Sequence, residues 1–357
     1  MNAAPPSTMR GAMLLGPEQV EVREVPVPRP GPGELLMRIR AATTCGTDVK
    51  VFVRGGHPRM LRVPTLFGHE MAGTVAALGD GVSAFREGDG VVVANSASCG
   101  ECAACRSARE NLCEDLVYLN GAFAEYLLVP ARFVARSTHP IPDGVAFEIA
   151  ALTEPLACVL HGIEVCELGR YASADTAEII VYGAGPIGLL FVAALARENH
   201  RVILADPNPS RLEVGTRLGA ADTVLIARDG NQFAQVVART EGGRGARIAV
   251  DCTGVAAVWE DAIASVKPGG LVNLFGGCAP GSAIPLDTHR VHYSELTIKG
   301  AYHHRPTNVR NALAVLTSSD FQGHLLLSRE CRIEGVEDAL RSMMRKEALK
   351  VVVRNTR

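Results

Sequence analysis

Four of the chain's ten cysteines fall in one short segment, Cys99-Gly-Glu-Cys102-Ala-Ala-Cys105 followed by Cys113, with C-x2-C-x2-C-x7-C spacing. Four thiolates this close in sequence can close a tetrahedron around one zinc ion. With every corner filled by sulfur, no position stays open for a substrate. The segment has few apolar residues to bury, so a metal there would act as a structural clasp. Gly100 permits the sharp turn that such a loop needs. A second set of donors is dispersed: Cys45 in Cys45-Gly46-Thr47-Asp48, His69 and Glu70 in Gly68-His69-Glu70, and Glu154 in Thr153-Glu154-Pro155. One thiolate, one imidazole and one or two carboxylates make the mixed ligand set of a catalytic zinc, which keeps a coordination position free. Taken singly, any one of these residues is more often a packed core residue, so residue type alone leaves this second site open.

A third constellation is the run Gly183-Ala184-Gly185-Pro186-Ile187-Gly188, a G-x-G-x-x-G sequence. It follows an apolar stretch and opens a helical one, which is the context that gives the motif meaning. Its glycines allow a tight turn and a close backbone approach to a pyrophosphate. The helix N-terminus then offers free N–H groups and partial positive charge to phosphate. Pro186 suits the first helical turn. Asp206 ends the next apolar run, where a carboxylate accepts hydrogen bonds from a ribose diol and repels a 2′-phosphate, favouring NAD over NADP. Arg211 lies nearby and could stack on adenine or hold a phosphate. Thr253 and Phe275 are further candidate cofactor contacts. Iron–sulfur clusters also take four cysteines, but beside this nucleotide motif zinc is the expected occupant of the cysteine loop.

These residues must be positioned by elements that the pattern also implies. Before residue 135, short β-branched runs at 20–25, 35–39, 73–77 and 90–94 alternate with Gly and Pro breaks, which reads as a strand-rich domain. From residue 178 onward, continuous apolar runs at 178–182, 201–205, 222–226, 247–251 and 271–275 alternate with helical stretches at 186–198, 209–218 and 255–266. That alternation argues for an α/β, doubly wound parallel sheet. The tail holds a strand near 297–302, helices near 309–317 and 336–346, and a last strand at 350–353. The expected domains are 1–155 with both zinc sites, 156–294 for the nucleotide, and 295–357 returning to the first domain. The length of 357 residues suits about two domains of roughly 100–200 residues. Apolar residues make up 47% and charged residues 21%, and the net charge is −2. This balance gives no electrostatic reason to expect nucleic acid or an anionic membrane as a partner. No apolar run is long enough to span a bilayer. The polar start lacks a signal-peptide core, so a cytoplasmic location is expected.

Together, Cys45-Gly46-Thr47-Asp48, Gly68-His69-Glu70, the four-cysteine loop, Gly183 to Gly188 and the terminal Lys350-Val351-Val352 resemble the zinc-dependent, medium-chain alcohol dehydrogenase family, across nearly the whole chain. Glu154, where simple alcohol dehydrogenases usually place a cysteine, resembles the polyol (sorbitol-like) and threonine branch. The resemblance implies a Rossmann domain beside a β-rich, GroES-like catalytic domain, two Zn2+ per chain, and NAD. It implies that Cys45 and His69 hold the catalytic zinc, with Glu70 and Glu154 as carboxylates that ligate it directly, through water or in exchange. Cys99, Cys102, Cys105 and Cys113 would hold the structural zinc. Thr47 would accept the alcohol proton while the carbon-bound hydrogen leaves as hydride. Many relatives carry a relay histidine where this chain has Lys50, and His57 is the alternative relay group.

The segment Tyr302-His303-His304-Arg305 follows a strand, at the point where polyol relatives bring an arginine and a tyrosine to the active site. Polar His303 and His304 there, with Tyr118, Asn120 and Phe123, suggest a small hydroxylated substrate, because unpaired buried donors would penalise a plain alkyl alcohol. The expected substrate is a polyol, sugar or (amino)cyclitol, with threonine as runner-up. A reductase working in the opposite direction and a non-catalytic homologue are the rival readings. The resemblance also implies a homodimer or homotetramer, with residues 271–276 expected at the sheet edge that joins the copies.

Overall fold

The computed structural model describes residues 4–171, 176–227 and 232–354. The chain divides into two compact units, one comprising 1–157, 304–318 and 326–357, the other 158–303 and 319–325.

The first unit is built on a seven-stranded sheet. Its strands run in the order Thr138–Pro140, Gly90–Val93, Glu70–Leu78, Leu35–Thr43, Lys350–Val353 and Leu327–Cys331, with Tyr126–Val129 also pairing Leu35–Thr43. Leu35–Thr43 is buried along most of its length, since it has neighbours on both sides and packs in the core with Phe52, Phe67, Met71 and Val91. Register carries the functional consequence. Thr43, at the end of this strand, sits opposite Glu70 on one neighbour and Val352 on the other. The strand therefore delivers Cys45, two residues on, beside the start of Glu70–Leu78 and the start of the last strand. The helix Gly46–Arg54 begins there, capped by Cys45, and buries Val51 and Phe52.

The second unit contains a six-stranded, all-parallel sheet in the spatial order Asp222–Leu225, Arg201–Asp206, Glu178–Tyr182, Ala246–Asp251, Val266–Leu274 and Thr297–Gly300. Numbered along the chain this is 3-2-1-4-5-6, the Rossmann order, with its switch point beside the first strand. Ile180, Tyr182, Ile203, Ala205, Val224 and Val272 form its core with Val236 and Ala262 from the helices. The unbroken apolar strands follow from burial on both faces.

Two expectations are corrected. The segment 295–357 does not return as one piece to the first unit. Thr297–Gly300 pairs in parallel with Val266–Leu274, so the second unit extends to residue 303 and takes 319–325 as well. The same pairing covers Leu271–Leu274, so 271–276 is not the sheet edge, and Thr297–Gly300 occupies that place. Among the described residues, no helix is long and apolar enough to cross a membrane.

Candidate metal centres and dinucleotide site

The four-cysteine loop folds as a cage of sulfur. Its Sγ–Sγ separations are 3.5 Å for Cys102–Cys105 and Cys99–Cys113, 3.8 Å for Cys102–Cys113 and 3.9 Å for Cys99–Cys105. A tetrahedron with Zn–S bonds of about 2.3 Å has sulfur–sulfur edges of about 3.8 Å, so the four residues fit zinc without rearrangement. Backbone N–H groups reinforce thiolate character: Cys102 N donates to Cys99 Sγ at 3.3 Å, and Cys99 N to Cys113 Sγ at 3.2 Å. Backbone donors from Cys105 and Glu114 pull the Cys102 thiol down to about 6. Burial pushes Cys105 up to about 12.

The second centre gathers Cys45, His69 and Glu70, whose ligand atoms lie within 4.8 Å of one another. His69 and Glu70 are buried. Asp48 Oδ1 lies 2.9 Å from His69 Nδ1, and Asp48 Oδ2 accepts from Cys45 N at 2.9 Å. A carboxylate on Nδ1 fixes the ring and leaves Nε2 for a metal. Burial opposes charge on the imidazole, but Asp48 and the Cys45 sulfur hold its pKa well above the usual value. Glu70 is already engaged. It accepts from the Thr43 hydroxyl and from Lys350 Nζ, which lies 2.6 Å from Oε1 and also donates to the Thr44 carbonyl at 3.0 Å. Burial works against the Lys350 ammonium, yet Glu70 and Cys45 keep its pKa above the usual value. Glu154 is buried in the first turn of helix Thr153–Val165. Burial raises its carboxyl to about 7; His69 and Lys350 oppose that rise, and Glu70 and Asp48 add to it. A half-buried thiol, an oriented imidazole and buried carboxylates are the donor chemistry of a zinc that keeps a free position.

In the second unit, Gly183 has φ 97°, and a Cβ there would lie 2.8 Å from Thr253 Cγ2. A Cβ on Gly188 would fall 1.8 Å from the Gly183 carbonyl oxygen. Gly185 caps the helix Pro186–Arg197, with Pro186 in its first turn and half-buried Ile187 following. Asp206 accepts from Ala184 N at 2.7 Å and Asn208 N at 2.8 Å, so it braces the glycine turn from the neighbouring strand.

The comparisons with known proteins agree with this geometry. Residues 31–143 match the alcohol dehydrogenase GroES-like domain and residues 186–318 match the zinc-binding dehydrogenase model. The chain is 30% identical to a sorbitol dehydrogenase of Bacillus subtilis over 98% of both chains. It is 35% identical to a D-altritol 5-dehydrogenase of Agrobacterium fabrum, over 86% of this chain and 88% of that one. A zinc-binding dehydrogenase from Sinorhizobium meliloti, solved with NADP, superposes with a TM-score of 0.87 at 27% identity, covering 98% and 100% of the two chains. The chain belongs to the zinc-binding, medium-chain alcohol dehydrogenase family. It is a zinc-dependent, NAD(P)-linked oxidoreductase.

Within this dehydrogenase, three groups escape a reading by residue type. Asp48 lies inside a quoted motif yet acts on His69 from another element. Lys350 is paired with Glu70 across a separation of 280 residues. The Cys-x-x-Asp capping pattern at Cys45–Asp48 is a sequence signal for the first; nothing local signals the second. A third is Asp251, which accepts from Thr253 N and Oγ1, Gly254 N and Trp259 Nε1 and so shapes the loop that carries Thr253.

The expected relay and substrate residues fare differently. Thr47 is half-buried in the first turn after Cys45. Lys50 is exposed on the same helix. His57 spends Nδ1 on the backbone N–H groups of Arg59 and Met60, at 3.2 and 3.1 Å. Asn120 donates to the Met60 carbonyl at 3.1 Å, which ties its amide to that loop. Tyr118 is half-buried in the short strand Val117–Tyr118. Phe123 is a correction: it is fully buried, edge-on to Phe67 at 5.1 Å, and packs under Gly68 instead of lining a cleft. Phe275 likewise sets its ring edge-on to Phe191 at 5.1 Å. Arg211 is half-buried near Asp206, and burial lowers its pKa. His303 takes a left-handed φ of 60°. His304 is buried, with Nε2 3.2 Å from Asn95 Oδ1.

Proposed function

We propose that the enzyme oxidises a secondary alcohol of a small polyhydroxylated substrate (a polyol, sugar or aminocyclitol) to a ketone, with NAD as hydride acceptor. The observation that carries the reading is a buried carboxylate, Glu154, where a second sulfur would complete the ligand set, together with buried polar Asn95 and His304 beside it. A wall of this kind exacts a desolvation cost that hydroxyl groups offset and alkyl groups do not.

When bound, zinc would supply Lewis acidity to the reacting hydroxyl, and NAD would take the hydride. Cys45, His69 and a carboxylate of Glu154 or Glu70 would hold the metal. Asp48 fixes the imidazole that does so. The Lys350 ammonium neutralises Glu70, which limits negative charge beside the metal. The Thr47 hydroxyl would accept a hydrogen bond from the reacting hydroxyl and, as it takes that proton at its oxygen, would release its own proton towards solvent. Asp206 supports NAD over NADP, because its carboxylate repels a 2′-phosphate. L-threonine is the second substrate reading, and the glutamate at 154 is compatible with it. In solution we expect a homodimer or homotetramer, with the exposed side of Thr297–Gly300 as the edge that a second copy would extend. The ten free cysteines fit a reducing, cytoplasmic compartment.

The test is NADH absorbance with purified, zinc-loaded protein, NAD and a panel of polyols, cyclitols, aminocyclitols, simple alcohols and L-threonine. Turnover of a polyhydroxylated compound well above the simple alcohols is expected. Preference for a simple alkyl alcohol would overturn the substrate class.

A further inference from the structure

Two consecutive residues join the four-cysteine loop to Glu154. Arg305 Nη1 donates to the Ala108 carbonyl at 3.1 Å. Ala108 lies between Cys105 and Cys113, in left-handed backbone with φ 55°. His304, one residue earlier, places Nε2 3.2 Å from Asn95 Oδ1 and 3.9 Å from Glu154 Oε1. Asn95 is itself buried and leads through Ser96–Ala97 towards Cys99. A cavity of about 10 Å³ is lined by Ser96, Ser98, Glu110, Ser137 and His304, and that is room for one water. The Ser98 hydroxyl, next to Cys99, is buried with no hydrogen-bond partner among the described residues and lines this cavity. A main-chain grip, an amide and a serine-lined cavity thus lead from the cysteine loop to the same imidazole.

We propose that His304 is a positioning residue for Glu154, and that the four-cysteine loop, acting through Arg305, Asn95 and Ser98, sets where His304 sits. The inference rests on the reading of Glu154 as a carboxylate of the catalytic zinc centre. It gives the cysteine loop a second task beyond holding itself together. Held against Asn95, the imidazole faces one oxygen of Glu154 and restricts the rotamers through which that carboxylate can approach or leave the metal. Groups that orient a ligand in this way alter metal retention by about 10–100-fold when removed.

The experiment uses full-length protein with zinc left in the four-cysteine loop and Co2+ exchanged into the Cys45 centre. His304→Gln should shift the visible cobalt bands and release cobalt to a chelator about tenfold faster, with an unchanged unfolding temperature. Arg305→Gln, which leaves His304 intact, should change both readouts in the same direction. Arg305→Lys, which keeps a cationic donor for Ala108, should restore most of the native behaviour. If His304→Gln does not fold, the half-exposed Arg305 variants carry the test. Native bands and native release in both Gln variants would overturn the proposal. A native protein that takes up no cobalt at the Cys45 centre would instead overturn the underlying reading of Cys45, His69 and Glu154.

Discussion

Cys102 and Cys105 belong to one cage, yet their surroundings drive them apart. Backbone donors take the Cys102 thiol to about 6, and burial takes Cys105 to about 12. In zinc-free protein at pH 7, Cys102 is therefore mostly thiolate, the reactive form, and Cys105 is a thiol. Brief iodoacetamide treatment should label Cys102 before Cys105, and zinc should protect both, as read by peptide mass spectrometry. The reverse order would contradict the assignment. Asp206 invites a second test at this scale. Its carboxylate braces Ala184 and Asn208 besides facing the ribose position expected from the fold. Asp206→Gly should weaken NAD use and narrow the preference over NADP, seen as a fall in the ratio of the two kcat/KM values. A native enzyme that uses NADP as efficiently as NAD would refute this role. Asp48 and Lys350 show what single residues do not reveal in sequence: each acts through a partner distant in the chain, and only the fold supplies that partner.

Among the elements, the glycine turn was the most legible, because strand, turn and helix are contiguous and every constraint is local. Gly188→Ala places a Cβ 1.8 Å from the Gly183 carbonyl, so the turn must open. Dinucleotide binding should then fall at least tenfold by calorimetric titration, while circular dichroism keeps its native form; undiminished binding would contradict the packing argument. The cysteine loop came next in legibility, since its spacing fixes its chemistry. The placement of Thr297–Gly300 was not. A short strand carries no signal for which sheet it joins, and its pairing with Val266–Leu274 is decided by the open edge left there. Phe123 was misread for a related reason. An aromatic residue near a glycine looks the same whether it lines a cleft or fills a core, and here the ring packs against Phe67.

Across the whole molecule, the two metal centres differ in ligand chemistry. Four thiolates fill every position of one centre, while the other joins one thiolate and one imidazole to carboxylates, which are harder and more exchangeable ligands for zinc. Burial and the ion pair of Lys350 with Glu70 keep the second centre formed from residues far apart in sequence. Glu70 keeps its Lys350 partner with or without a metal, so its charge is not left orphaned and the scaffold should outlast the loss of its metal. The most direct measurement is timed chelation of the native enzyme, with zinc per chain and activity followed together. One zinc should leave first, activity should fall in step with it, and the folded, inactive protein should recover when zinc is returned. Activity that persists after one zinc per chain has gone would contradict the assignment of Cys45, His69 and Glu154 as the catalytic centre.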